Sequence, residues 1–285
     1  MVRESDRNPG GELRVLTSSS IIEIYPSAKI LEKLKSYPPI DELAISCSPA
    51  KGIETTLRMA VEAKKLGFKV VPHISARSVK DKNHVREIGA FLGENGLNEV
   101  FIIGGDIESP AGEFDSAVKF MRALFEISDV KINKVGVAAY PEKHDKIGDE
   151  ALKEAIFAKE ELAKNKGFEI YCETQMCFSA KAILDWIRQS RRNGLRMQAI
   201  VGIPGAGNGV EIANHALECG VGESLRILEL QIGREIGKKY LFGYTPDSML
   251  RELVEKSTEA DQITGLRIFS FNMPTALAWQ ASKLS

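Results

Sequence analysis

Eight short apolar runs, each followed by a stretch of helical periodicity, constrain this chain more than any other feature. The runs are SIIEIY (20–25), ELAISCS (42–48), KVVPHIS (69–75) and EVFIIGGD (99–106). They continue with KVGVAAY (134–140), EIYCETQM (169–176), QAIVGIPG (198–205) and LRIFSFN (266–272). Each is rich in Val, Ile or aromatic residues and is apolar on both alternating faces, the pattern of strands covered on both sides in a parallel sheet. Between them, GIETTLRMAVEAKKLG, KNHVREIGAFLGENGL, SAVKFMRALFEI, DEALKEAIFAKEELAKNKG and AKAILDWIRQSRRNG carry amphipathic spacing. Gly67, Gly167 and Gly194 stand where helix C-terminal caps belong.

Strand–helix units repeated eight times in 285 residues predict an α/β fold, a (β/α)₈ barrel forming a single domain over residues 1–285. A doubly wound open sheet is the alternative. Residues 1–15 read as a polar lead-in. The 206–262 segment is longer than one repeat needs and predicts extra helices before the last strand. No Pro/Gly/Ser-rich linker, low-complexity tract or charge shift divides the chain.

A net charge of −1 offers no reason for a nucleic-acid or anionic-membrane partner. No apolar run approaches the roughly 18 to 20 residues of a membrane helix. The opening MVRESDRNPGGE lacks the apolar core of a signal peptide. Cys47, Cys172, Cys177 and Cys219 match neither a zinc set nor a disulfide framework, which predicts free thiols and a cytoplasmic location.

Barrel enzymes build their sites at strand carboxyl ends. Those positions hold Glu23 and Tyr25 (run 1), Ser46, Cys47 and Ser48 (run 2), His73 and Ser75 with Arg77 beyond (run 3), and Asp106 (run 4). Run 5 brings Tyr140, Glu142 and His144, run 6 Glu173, Thr174 and Gln175, run 7 the GIPGAGNG turn, and run 8 Ser270 and Asn272. Each has a bland alternative. Glu23 interrupts an apolar strand, where a carboxylate is costly unless paired, so a structural ion pair competes with function. His73 can be a satisfied core histidine, and Asp106 a cap for the next helix. Gln175 can simply tie down backbone. GAGNG (205–209) can cradle phosphate or turn into a helix. His84 and His215 fall in helical stretches, and no HxH, HxxxH or carboxylate triad has usable spacing, so no metal site is expected. There is no Gly-x-Ser-x-Gly elbow for a serine hydrolase.

In order, these segments resemble the methylenetetrahydrofolate reductase family. VAAYPEKH (137–144) is similar to its Tyr-Pro-Glu-x-His signature, EIYP (23–26) to its Glu-Phe-Phe-Pro start, and PHIS (72–75) to its Pro-His-Leu/Ile-Thr segment. GGD (104–106), ETQMCF (173–178), GIPG and FSFN (269–272) stand where the family has Arg-Gly-Asp, Ile-Thr-Gln-Phe-Phe-Phe, Gly-Ile-x-Pro and Phe-Tyr-Thr-Leu-Asn. The resemblance spans all eight strands and implies a flavin-carrying barrel. It also implies reduction of 5,10-methylenetetrahydrofolate to 5-methyltetrahydrofolate with FAD and NADH or NADPH, between which the sequence does not choose.

By that resemblance Glu23 is the general acid for ring opening at N10, and Asp106 sits by the flavin and pterin. Ser46, His73, Asp106, Ala138, Tyr140 and His144 line the flavin pocket, and Gln175 and Asn272 contact the folate. The chemistry is coherent, because the imidazolidine ring must open to an iminium before it accepts hydride. A carboxyl among Ile21, Ile22, Ile24 and Tyr25 is expected to hold its proton more tightly than in water, which suits an acid near neutral pH.

The chain also departs from the family. Gly104 stands where an arginine holds the flavin phosphates, and Glu160 and Glu161 lie near where a cofactor lysine is usual. Met273 replaces a basic residue, and 222–245 matches poorly. Lys159, Lys164, Arg77, Arg226 and Arg234 are candidate replacements. Two further readings follow: a one-carbon tetrahydrofolate enzyme with weak or absent flavin binding, and a non-catalytic folate- or flavin-binding partner protein. Retention of Glu23 and Asp106 argues against the last. The sequence leaves open a homo-oligomer.

Overall fold

The structure, a computed structural model, describes residues 9–34, 41–127, 130–218 and 243–284. Eight strands close a parallel barrel in chain order. They are β1 (Ser20–Ile24), β2 (Glu42–Ile45), β3 (Lys69–Ser75), β4 (Glu99–Ile103), β5 (Lys134–Ala139), β6 (Glu169–Thr174), β7 (Gln198–Pro204) and β8 (Ile263–Phe269). Helices alternate with them: α1 (Pro9–Ser18), α2 (Ala28–Leu34), α3 (Gly52–Lys65), α4 (Lys82–Glu94), α5 (Ala117–Ile127), α6 (Asp149–Lys166) and α7 (Ala180–Arg192). α8 (Gly209–Glu218) and α9 (Asp247–Lys256) precede β8, and α10 (Met273–Leu284) follows it. The (β/α)₈ architecture read from the periodicity is the observed one. So are extra helices before the last strand.

The chain packs as two compact units, one of Ile22–Ala139 and Ile147–Glu173, the other of Met1–Ile21, Tyr140–Lys146 and Thr174–Ser285. In the first, the sheet residues Ile22, Leu43, Ile45, Val100, Ile102, Val135 and Val137 are buried. Over them α3 lays Ile53, Leu57, Ala60 and Ala63, and α4 lays Val85, Ile88 and Leu92, one residue per turn of each helix. Each of the Val, Leu and Ile side chains among them contributes about 2 kcal/mol on leaving water. Asp81 starts α4 by accepting the His84 amide at 2.8 Å.

The second unit joins β7 and β8 over six paired positions, from Ala199↔Ile263 to Pro204↔Phe269. Ser179 caps α7 through the Ala182 amide at 3.2 Å. A helix runs over Pro9–Ser18, part of which the sequence reads as a polar lead-in. Its register is fixed from outside, since it packs on α9, α10 and β8. The apolar runs also overshoot their strands: β2 stops at Ile45, β4 at Ile103, β6 at Thr174 and β8 at Phe269. Ladder pairing ends where the chain bends into a loop, and hydrophobicity does not mark that point. Arg226, Arg234 and Cys219 lie outside the described residues. Cys47, Cys172 and Cys177 are thiols, not joined in disulfides.

One buried carboxylate ties this unit's helices to β8. Asp261, 2% exposed, accepts Arg188 Nε at 3.1 Å and Nη2 at 3.2 Å, together with the Thr258 amide at 2.8 Å. Burial pushes its pKa up, but the hydrogen bonds from Arg188 and Thr258 outweigh that and hold it below the usual carboxylate range. A depressed folded pKa means the contribution is complete above about pH 4 and is lost as pH falls through the folded value. Asp261→Ala strands the guanidinium and the amide, so about 2 kcal/mol should be lost, read as a lower urea midpoint at pH 7. An unchanged midpoint contradicts this.

Candidate active site at the strand carboxyl ends

Glu23 lies in β1 beside Ile22 and Ile24, both buried, and is itself half-buried. The Ser20 hydroxyl accepts Gln280 Nε2 of α10 at 2.6 Å, so the Ser20, Ile22 and Ile24 face of β1 meets the helical layer. Strand alternation then turns Glu23 to the barrel interior. Glu23 pairs in register with Ala44, and Ala44 with Val71, so the inward face continues through β2 and β3 to His73.

His73 is 5% exposed and rests against Phe101, ring centroids 4.7 Å apart. Phe101 and Gly136 are paired on the same face, which carries on to Ala138. Ser46 follows β2 and bonds back to β1, its amide and its hydroxyl both directed to the Ile24 carbonyl at 3.0 and 3.3 Å. Tyr25 and Ser48 hydroxyls meet at 2.7 Å. The Glu23, Ser46, His73, Asp106 and Ala138 positions thus fall on or just after five neighbouring strands of one unit.

Asp106 is exposed and stands at the start of a long loop. α5 does not begin until Ala117, so Asp106 does not cap it. Gly105 before it has φ +96°, and a Cβ there would lie 1.8 Å from Ser75 Oγ. Only glycine fits both the left-handed backbone and the close approach. Burial pushes the Cys47 thiol pKa up; a bond to the Ser75 backbone and one to the Thr56 side chain lower it, and Glu54 and Asp106 nearby add to the rise. The close approach of Gly105 to Ser75 sets Asp106 next to the β3 end.

In the other unit, Tyr140 and His144 meet edge to face with centroids 4.9 Å apart. Lys143 between them takes φ +73°, and its amide bonds the Tyr140 carbonyl at 3.2 Å. This is what closes an apolar strand on Tyr-Pro-Glu-Lys-His without a Gly, Asn or Asp turn. Gln175 Oε1 accepts the following Met176 amide at 2.8 Å. Asn272 is exposed and caps α10, its Oδ1 accepting the Thr275 amide at 3.3 Å and hydroxyl at 3.0 Å. Both therefore have an ordinary structural job.

The GAGNG turn is a helix start. Gly207 and Tyr244 exchange backbone bonds at 3.1 and 2.7 Å, and Asn208 Oδ1 takes the Val210 and Glu211 amides. The Gly207, Val210 and Glu211 amides are thus engaged within the protein.

Two candidate cationic anchors are corrected. Arg77 does not present its guanidinium to a cofactor, because it bonds three loop carbonyls. Lys159 is 8% exposed on the packed face of α6, and burial lowers its pKa to about 8. Lys164 is exposed near the end of α6. The sequence reading also passed over Arg267, fully buried in β8, and gave no role to Glu173, 3% exposed in β6. The signal was the one used for Glu23, a charge inside an apolar strand. Among the described residues, no three His, Cys, Asp or Glu side chains gather as a metal site, and no helix is long and apolar enough to cross a membrane.

No family model matches the chain. A solved structure of an uncharacterized protein from Clostridium thermocellum, described as binding two copies of 5-methyl-5,6,7,8-tetrahydrofolic acid, is similar with TM-score 0.63 and 16% identity. The likeness covers 95% of this chain and 97% of that one, and shows a shared fold. A chitinase from Rhizomucor miehei is similar with TM-score 0.46 and 10% identity over 93% of this chain and 99% of that one.

Proposed function

We propose that this protein binds a one-carbon tetrahydrofolate at the carboxyl ends of its barrel strands. There it reduces 5,10-methylenetetrahydrofolate to 5-methyltetrahydrofolate with NAD(P)H as reductant; FAD is the cofactor that the family resemblance implies. The reading rests on the run of Glu23, Ser46, His73, Asp106 and Ala138 over five neighbouring strands. The Clostridium protein's ligand is the product of this reaction, which lends support.

In this reading Glu23 gives a proton to N10 as the imidazolidine ring opens. The Asp106 carboxylate offsets the positive charge of the iminium, and hydride then adds to the exocyclic carbon. His73, held against Phe101, and Ser46 shape the pocket floor. By the family resemblance, Gln175 and Asn272 contact the folate, and Tyr140 and His144 the cofactor. A soluble pyridine-nucleotide reductant fits a cytoplasmic setting.

The flavin is where the residues fit least. Its pyrophosphate needs cations, and Gly104 offers none, Arg77 is spent on carbonyls and Lys159 is buried. These residues do not fit FAD held in the family's manner, and no step here is routed through it. The same observation favours a second reading, a one-carbon tetrahydrofolate enzyme that retains flavin weakly or not at all. A visible spectrum of the purified protein, before and after incubation with FAD, separates the two. A flavin band supports the first, and a colourless protein that still converts methylenetetrahydrofolate with NAD(P)H supports the second. Failure to bind 5-methyltetrahydrofolate in calorimetry would defeat both.

A further inference from the structure

We propose that Arg77 is the positioning residue of Asp106 and acts on it through the loop that carries it; the inference rests on the folate reading above. Residues 104–116, between β4 and α5, form neither helix nor strand. A stretch of that length keeps one shape only when something outside regular structure ties it down. Arg77 does this from the end of β3.

Its Nε donates to the Ile107 carbonyl at 2.7 Å, Nη2 to the Glu108 carbonyl at 2.5 Å and Nη1 to the Asp115 carbonyl at 3.0 Å. Its own amide donates to the Gly104 carbonyl at 2.9 Å, and its carbonyl accepts the Ala111 amide at 2.8 Å. One residue thus grips the loop at its start, its middle and its far end, with Asp106 bracketed between the first two grips. Gly112 presses on the Lys80 carbonyl so closely that a Cβ would come within 1.7 Å of that oxygen. The loop has no slack there.

Among the described residues, no side chain hydrogen-bonds the Asp106 carboxylate. Its place is therefore set by its backbone. That backbone is held on one side by Gly105 against Ser75 and on the other by Arg77. Arginine suits the task because its planar fork aims several donors in fixed directions, whereas a lysine ammonium is one compact charge that does not span three separated carbonyls. Arg77 touches no reacting atom in this account; it keeps the Asp106 charge where an iminium would form.

The test compares R77A, R77K, D106N and R77A/D106N in NAD(P)H-dependent reduction of methylenetetrahydrofolate. Hydrogen exchange reports on residues 104–116, and calorimetry with 5-methyltetrahydrofolate reports binding. R77A should speed exchange in 104–116 alone and lower kcat by about 10- to 100-fold, the scale of a displaced charge. R77K should recover part of that loss. The double variant should be no slower than D106N, because a residue that works through Asp106 has nothing left to position. If R77A does not fold, R77K against D106N and R77K/D106N gives the same comparison.

Losses that multiply in the double variant, or a loosened loop with kcat intact, would overturn the Arg77 role and leave the folate reading standing. Full turnover in D106N would remove the role of Asp106 and this inference with it. A wild type that neither binds nor reduces the folate would end both.

Discussion

Glu23→Gln should cut formation of 5-methyltetrahydrofolate by at least about 100-fold, the usual worth of a positioned general acid. Binding of 5-methyltetrahydrofolate should stay within a few-fold, and NAD(P)H oxidation by an artificial acceptor should survive if flavin is carried. Glutamine keeps the size of glutamate and can still hydrogen-bond, but it has no proton to give to N10. The expectation follows from the setting of Glu23. Ile22 and Ile24 beside it are buried against the helical layer, and the carboxyl turns the other way, half-buried, on the inward face that leads through Ala44 and Val71 to His73. A residue that only braced the strand would behave differently. Its loss would lower the melting temperature and weaken ligand binding together with turnover. That joint loss, read by calorimetry and a thermal melt, would sink the assignment.

The strands were legible because doubly buried parallel strands leave long Val- and Ile-rich runs, as in KVVPHIS and KVGVAA, and their order along the chain allows few topologies. Glu23, His73 and Asp106 stand out for a related reason, as polar residues in or just after such runs, and the fold sets them on or after neighbouring strands. What stayed hidden depends on where a side chain finds its partner. Arg77 reads as a free cation, and only the folded loop shows that its guanidinium is taken by the carbonyls of Ile107, Glu108 and Asp115. Asn272 looks like part of a folate motif, while its side chain caps α10. The helix at Pro9–Ser18 was hidden by its two glycines, poor helix formers held by packing on α9, α10 and β8. Lys159 sits in AKEELAK, a stretch that reads as a solvated face, yet it lies three residues after Ile156 and three before Leu162 on the packed side of α6. Periodicity argued for its burial and charge against it, and here periodicity won.

That burial has a measurable consequence. Desolvation lowers the Lys159 pKa from 10.5 to about 8, and Cys172 nearby acts the other way without offsetting it. A lysine with a lowered folded pKa is bound to fewer protons in the folded state than in the unfolded state between those two values. Stability must then rise as pH climbs from about 8 toward 10.5, and the cost of burying the charge is fully present below pH 8. Lys159→Met keeps the unbranched shape and removes the charge. The variant should be more stable than the wild type by roughly 3 kcal/mol at pH 7, with the gap closing as pH approaches 10. Urea midpoints of the two proteins at pH 7, 8.5 and 10 give the difference directly, other titrating groups cancelling between them. The same pair bears on the cofactor. A lysine that gripped a flavin phosphate would present its ammonium to the ligand, so its methionine variant would lose FAD; one packed inside the protein leaves FAD retention unchanged. A stability gap that does not vary with pH would mean that burial leaves the Lys159 pKa near its ordinary value, and a loss of FAD in the variant would mean that its ammonium reaches the cofactor.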